Sequence, residues 1–164
     1  FPATKHRLEN LRIEANGNEK DEPFWNQDLQ GSQGIVIRGA QNIIRNCTIE
    51  VTHADAGIYL FGPNQVIENN TIIFKGHLPQ GMSAPIRLSL ADGSIIRNNT
   101  IIVQSEGANK PAAAISLIDS RNVVIENNTI EGVEAVYKTW DELPEQKTSV
   151  QEKDNRFKKG WKLF

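Results

Sequence analysis

Two histidines and two cations are the side chains of this sequence best suited to acid–base chemistry. His53 and His77 ionise near neutral pH, so either could carry a proton. Lys75 and Arg87 lie in the same part of the chain. His53 and Asp55 are two residues apart, so on a strand they would share a face and could coordinate an ion. An ordinary pair of solvated loop side chains is the alternative.

The composition limits the kinds of protein that could position these residues. The chain has 164 residues, 38% of them hydrophobic and 23% charged, with a net charge of −2. This is typical of one soluble domain, and it predicts neither a membrane span nor a nucleic-acid partner. The single cysteine excludes an intramolecular disulfide and a cysteine-rich metal site. No cofactor is expected, and Ca²⁺, which takes oxygen ligands, is the alternative left open. The 19 Ile, 10 Leu and 16 Asn favour short strands separated by turns.

One short motif recurs along most of the chain. Clear copies of Ile-x-Asn-x-Thr-Ile occupy 44–49, 67–72, 96–101 and 125–130, with degenerate copies at 8–13 and 152–157. The aligned third positions are separated by 36, 23, 29, 29 and 27 residues. Such a repeat, with irregular insertions, predicts a coil of three short parallel strands that stacks on the preceding coil.

The stacking assigns inward and outward positions. We predict that equivalent inward residues form continuous apolar columns along the coil axis. The inward columns are Ile35, Ile58, Ile86 and Ile115; Ile37, Leu60, Leu88 and Leu117; and Ile49, Ile72, Ile101 and Ile130. The outward positions of one strand face are Val36 and Arg38, Tyr59 and Phe61, Arg87 and Ser89, and Ser116 and Ile118.

Charge and asparagine patterns support this register. The residues before the first Asn or Asp of each copy alternate in sign: Glu9, Arg45, Glu68, Arg97, Glu126, Lys153. Stacked coils favour such alternation, so we predict a surface ladder of ion pairs, each worth about 0–1 kcal/mol. The Asn pairs predict an asparagine ladder at a tight bend. They also match the Asn-x-Thr glycosylation pattern, but we interpret them as structural, with the side chains needed inside.

With these motifs, the chain resembles the right-handed parallel β-helix family, the pectate-lyase-like superfold, over about residues 6–157. The resemblance implies an all-β fold, a single-stranded right-handed parallel β-helix of about six coils. We predict one domain over 1–164, with a C-terminal cap or final half-coil at about 137–164 that includes Tyr137, Trp140, Phe157, Trp161, Leu163 and Phe164. The N-terminal residues already have a strand pattern. This favours a longer parent chain, or self-association or packing at that end.

In pectate-lyase-like enzymes the strand face beside the long loops is the substrate groove, so the resemblance implies an acidic polysaccharide there. We expect long loops at 14–33, 50–56, 74–84 and 104–113, the last three on one side. Tyr59, Phe61, Arg38 and Asp55 are the candidate substrate-binding residues. His53, Lys75, His77 and Arg87 are the candidate catalytic residues, because a lyase must offset the carboxylate beside the proton that it removes.

Alternatives remain for each of these side chains. Arg87 could bridge a neighbouring strand, and the 14–33 loop, with Phe24 and Trp25, could cover the aromatic pair. The chain lacks the signature motifs of alginate epimerases, polygalacturonases and pectate lyases. Two hypotheses follow. The first is a secreted, periplasmic or cell-surface module that binds or cleaves an acidic polysaccharide. The second is a non-catalytic structural module of an adhesin or spike.

Overall fold

The structure, a computed structural model, describes residues 1–17, 32–76 and 82–158. Phe24, Trp25, His77, Trp161, Leu163 and Phe164 lie outside the described residues. Sixteen β-strands occupy most of the described chain, and they pair in parallel. The strands are β1 Arg7–Glu9, β2 Arg12–Asn16, β3 Ser32–Arg38, β4 Ile43–Arg45, β5 Thr48–Phe61, β6 Val66–Glu68, β7 Thr71–Gly76, β8 Ala84–Ser89, β9 Ile95–Arg97, β10 Thr100–Val103, β11 Ile115–Ile118, β12 Val123–Glu126, β13 Thr129–Glu131, β14 Tyr137–Thr139, β15 Val150–Lys153 and β16 Arg156–Phe157. A short 3-10 helix spans Gly107–Asn109.

The strands stack into three faces. Face A contains β1, β4, β6, β9, β12 and β15 in that order. Face B contains β2, the first half of β5, β7, β10, β13 and β16. Face C contains β3, the second half of β5, β8, β11 and β14. Each coil of the chain contributes one strand to face A, then one to face B and one to face C. Because equivalent strands of successive coils pair with each other, the chain winds as a three-sided solenoid.

The interior of the solenoid is filled by the predicted apolar columns. Ile58, Ile86 and Ile115 are fully buried in register on face C, as are Ile49, Ile72, Ile101 and Ile130 on face B. Ile37, on the first face-C strand, is only partly buried and packs against this core. The predicted inward positions are therefore confirmed. β-Branched residues suit them because the same side chain repeats at each level and packs on its copies.

The corner between faces A and B uses each Asn pair in two different ways. The first Asn has a left-handed backbone, with φ +56° at Asn69 and +54° at Asn98 and Asn127. The second is buried: Asn70 Nδ2 donates to Asn99 Oδ1 at 3.1 Å, and Asn99 Nδ2 donates to Asn128 Oδ1 at 3.0 Å. The asparagine ladder is confirmed. The prediction that the glycosylation-pattern asparagines point inside is wrong, because the first Asn of three pairs is exposed and only the second enters the ladder.

The predicted charge ladder is confirmed over four positions. Arg45 Nη2 lies 2.9 Å from Glu9 Oε1, and Arg45 Nη1 lies 3.9 Å from Glu68 Oε1. Arg97 Nε lies 2.8 Å from the other carboxylate oxygen of Glu68. Glu126 continues the register between Arg97 and Lys153. The contact of Glu68 with cations on both neighbouring coils fixes the stacking register.

The prediction of a long loop at 50–56 is wrong. These residues are strand, because β5 runs through the corner between faces B and C without interruption. A register shift lies between Thr52 and Ala54, and the residue between them, His53, has φ +52°. A β-bulge therefore makes the turn that we expected from a loop. Gly57 follows on face C, where an added Cβ would lie 2.7 Å from the carbonyl oxygen of Pro85 on the next coil.

Candidate functional site

Face C carries two outward columns of side chains, in the predicted register. One column runs through Val36, Tyr59, Arg87, Ser116 and Lys138. The other runs through Arg38, Phe61, Ser89 and Ile118, and Trp140 extends it beyond β14. Exposure differs along the face. Arg38 and Lys138 are exposed at its two ends, whereas Ser89, Ser116 and Ile118 are buried, so the predicted outward position of these three does not make them accessible.

Cations stack on aromatic rings along this face. The Arg38 guanidinium lies 4.8 Å from the Phe61 ring centroid, and the Arg87 guanidinium lies 4.3 Å from that of Tyr59. The Tyr59 and Phe61 rings contact each other, with centroids 4.1 Å apart. One face of each ring is thus covered by a guanidinium. Stacking of this kind restrains long cationic side chains in one orientation, each contact contributing about 0.5–1 kcal/mol when exposed.

A third cation–aromatic pair lies at the far end of face C. Lys138 Nζ lies 4.3 Å from the ring centroid of Trp140, whose buried indole Nε1 has no hydrogen-bond partner. Trp140 was expected in a C-terminal cap or final half-coil, and Lys138 was not among the candidate residues. The strand β14 continues the coil, because Tyr137 pairs with Ile115 one coil earlier. Lys138 occupies the next outward position of β14, and Trp140 follows two residues later, just beyond the strand.

Arg87 is held by Asp55, 32 residues earlier in the chain. Arg87 Nη1 donates to Asp55 Oδ2 at 3.0 Å, and the two side chains are 18% and 15% exposed. Gln33 Nε2 donates to the same carboxylate oxygen at 3.5 Å. Arg87 Nη2 contacts Met82 Sδ, and its buried Nε has no partner. Asp55 is therefore a partly buried strand residue, not a solvated loop residue, and Arg87 bridges to a neighbour as the alternative interpretation predicted.

His53 lies on β5, two residues before Asp55, at the corner between faces B and C, and Lys75 lies on the neighbouring strand β7. Lys75 is exposed on β7 and pairs with Thr52, the residue before His53. We expected His53 and Asp55 to share a strand face, but side-chain alternation does not hold through the bulge at His53. Within the described ranges, no three His, Cys, Asp or Glu side chains are grouped as a metal site requires. His77 lies outside those ranges.

A separate ion pair lies at the corner between faces C and A. Arg121 Nη2 lies 2.6 Å from Asp92 Oδ2, and the Arg121 backbone N–H donates to Asp92 Oδ1 at 2.7 Å. Partial burial acts to raise the pKa of Asp92, but the hydrogen bonds and the charge of Arg121 outweigh it, so the pKa lies below its ordinary value. The same contact raises the pKa of Arg121. This pair ties successive coils together beside face C.

The winding and the strand register are those of a known protein family. Residues 4–138 match the family described as "Right handed beta helix region", which covers most of the chain. The chain therefore belongs to the right-handed β-helix family, and the predicted fold class is confirmed. A search of curated proteins and a search of solved structures each gave no match. In the described part of the chain, no helix has the length and apolar character of a membrane span.

Proposed function

We propose that face C binds an acidic polysaccharide along the coil axis. One observation carries the proposal: the three cation–aromatic stacks among the described residues, which involve Arg38, Arg87 and Lys138, all lie on this face. Guanidinium and ammonium groups donate charge-assisted hydrogen bonds to carboxylates. Aromatic rings offer apolar surface against the C–H faces of sugar rings. Five stacked strands also give a binding surface roughly 19 Å long.

The binding experiment uses exposed cations whose loss leaves the fold intact. The Arg38→Ala, Lys138→Ala double variant removes a cation from each end of face C. Arg156→Ala is the matched control, because Arg156 is an exposed arginine on face B that contacts Thr129 Oγ1. We expect calorimetry with polyglucuronate to show at least tenfold weaker binding for the double variant and unchanged binding for the control. Equal affinity in all three proteins, or no binding to any acidic glycan, contradicts the proposal.

A lyase activity is the catalytic form of the same proposal. His53 at the bulge would remove the proton beside a uronate carboxylate, and Lys75 and Arg87 would offset its charge, with His77 as a further candidate base. Support comes from two observations: Lys75 pairs with Thr52, the residue before the bulge, and the same strand β5 carries Asp55, which binds Arg87. The test measures ultraviolet absorbance of an unsaturated product from uronate polymers. Activity lost in His53→Ala, with glycan binding retained, supports catalysis; the absence of product from the wild-type protein contradicts it.

A non-catalytic structural module, secreted or on the cell surface, is the second candidate. The specific observation in its favour is that Phe1, Leu11 and Val36 are exposed apolar residues on the first coil. Such a surface would suit self-association or packing at the N-terminal end. Under this function we expect light scattering to show a concentration-dependent increase in mass that Leu11→Glu abolishes. A monomer at all concentrations contradicts self-association.

A further inference from the structure

The outer surface of face A carries an apolar stripe beside the charge ladder. In each of its four central strands a fully buried isoleucine points inward, so the residues before and after it point outward. The residues before it stack in register, and all are β-branched and partly buried: Ile43, Val66, Ile95 and Val124. Arg7 and Gln151 end this column on the first and last strands. A continuous row of aliphatic side chains on a sheet surface favours contact with an apolar partner.

The charge ladder beside the stripe reverses its sign when it is read backwards. From the first strand of face A to the last, the charges alternate from negative to positive at Glu9, Arg45, Glu68, Arg97, Glu126 and Lys153. The side chains of Arg45 and Arg97 are 34% and 41% exposed, so their charge reaches the surface. A second copy of the chain that faces this ladder in the reverse direction meets an opposite charge on each of the six strands.

Two copies related by a two-fold axis along the strand direction meet in this way. The axis passes between β6 and β9, and it reverses the coil axis while it keeps the strand direction. The charge ladder of one copy therefore lies on the charge ladder of the other, and stripe lies on stripe. The facing pairs are Glu68 with Arg97, Arg45 with Glu126, Glu9 with Lys153, Val66 with Ile95, and Ile43 with Val124.

Other face-to-face arrangements of two copies lack this match. A two-fold axis along the coil axis pairs equal strands, so each charge faces either the same charge or the apolar stripe. A shift of the reversed arrangement by one strand places like charges opposite each other on every strand that is still in contact. The order of charges along face A thus specifies both the direction and the register of the second copy.

We infer that face A is an isologous dimer interface between two copies of this chain with antiparallel coil axes. Five strand spacings make the interface about 24 Å long, and its two outward columns are about 7 Å apart. This surface is smaller than the roughly 800 Å² per partner of a stable complex, so we expect a dissociation constant on the order of 10⁻⁴ M. The dimer uses neither face C nor the exposed apolar residues of the first coil, and it is independent of both candidate functions.

A lysine in the stripe tests the interface. Analytical ultracentrifugation from about 10 μM to about 1 mM measures the mass of each protein. Ile95→Lys places a lysine of each copy beside the two-fold axis. Ile102→Lys is the matched control, because Ile102 is a partly buried, outward isoleucine on the face-B strand of the same coil. We expect wild type and Ile102→Lys to approach the mass of a dimer and Ile95→Lys to stay a monomer.

Three results of this experiment would overturn the inference. The first is a wild-type monomer over the whole range of concentration. The second is equal dimerisation of wild type, Ile95→Lys and Ile102→Lys. The third is a dimer that Leu11→Glu abolishes and Ile95→Lys does not, because the contact would then lie at the N-terminal end. Circular dichroism establishes that each variant is folded before its mass is compared.

A charge exchange tests the reversed register separately from the stripe. Glu126→Lys places a lysine opposite Arg45 of the second copy, and we expect at least tenfold weaker dimerisation. Adding Arg45→Glu should restore the dimer, because the facing charges are again opposite. Within one chain, positions 45 and 126 are three strand spacings or about 14 Å apart, beyond the screening length of about 8 Å, so this rescue requires contact between copies. A folded double variant that dimerises no better than Glu126→Lys contradicts the antiparallel arrangement.

Discussion

The corner between faces A and B and the outer surface of face C are built on opposite plans. At the corner three successive coils repeat the same chemistry, with an Asn in the left-handed region followed by an Asn in the buried ladder. On face C the residue type changes at every level, from Arg38 to Phe61, Ser89 and Ile118. The repeated asparagines satisfy buried backbone groups and keep the coils stacked. The varied side chains of face C, carried on these stacked strands, give its surface a distinct pattern of charged groups and aromatic rings.

The largest expected effect comes from breaking the repeated corner. Asn99→Ala removes the acceptor for both the backbone N–H and the side-chain amide of Asn70, and it also removes the donor to the Ile67 carbonyl. These groups are buried, so we expect a loss of about 3–5 kcal/mol in the free energy of unfolding. Urea denaturation measures it. A loss under 1 kcal/mol would mean that the ladder does not hold the coils together.

The second prediction tests whether the Arg87–Asp55 contact at the centre of face C stabilises the fold. Arg87→Ala leaves the Asp55 carboxylate, only 15% exposed, without its main partner. The expected cost is about 1–3 kcal/mol, and it should fall when Asp55→Asn is combined with it. Additive losses in the double variant would show that the two side chains are not coupled.

A smaller loss of stability is expected at Asn98, the first residue of the Asn98–Asn99 pair. Asn98 has φ +54° and an exposed side chain, so Asn98→Ala should cost about 1–2 kcal/mol through the backbone alone. Asn98→Gly is the matched control and should change stability by less than that, because glycine adopts this conformation freely. Thermal unfolding of both variants checks the difference. Equal losses of stability in the two variants would show that the side chain of Asn98, and not its backbone conformation, stabilises the fold.

The smallest effect is the pH dependence of the Asp92–Arg121 pair. Because the folded-state pKa of Asp92 is lowered, its contribution to stability is present above the ordinary Asp pKa of about 3.9 and is lost as the pH falls through the folded-state value. We expect wild type to melt slightly above Asp92→Asn at pH 7, and the two melting temperatures to converge in acid. A gap that persists at the lowest pH would contradict the assignment.

The contrast between repeated and varied positions explains which features the sequence predicts. The winding, the inward columns and the charge ladder are repeated, so the spacing of identical residues predicts them. The bulge at His53 carries no Gly or Pro signal, because an unusual φ at one residue replaces a loop. The Asp55–Arg87 contact joins residues 32 apart through the path of the fold, which no local pattern specifies. Lys138 and Trp140 lie on a degenerate coil that lost the Ile pattern of its neighbours.

The most direct measurement is an amide chemical-shift map of the protein during titration with a glucuronate octasaccharide. Binding on face C predicts shifts concentrated in β3, the second half of β5, β8, β11 and β14, while the amides of Asn70, Asn99 and Asn128 stay unchanged. Shifts spread along the cations of face A, or shifts as large at the asparagine ladder as on face C, would contradict the account.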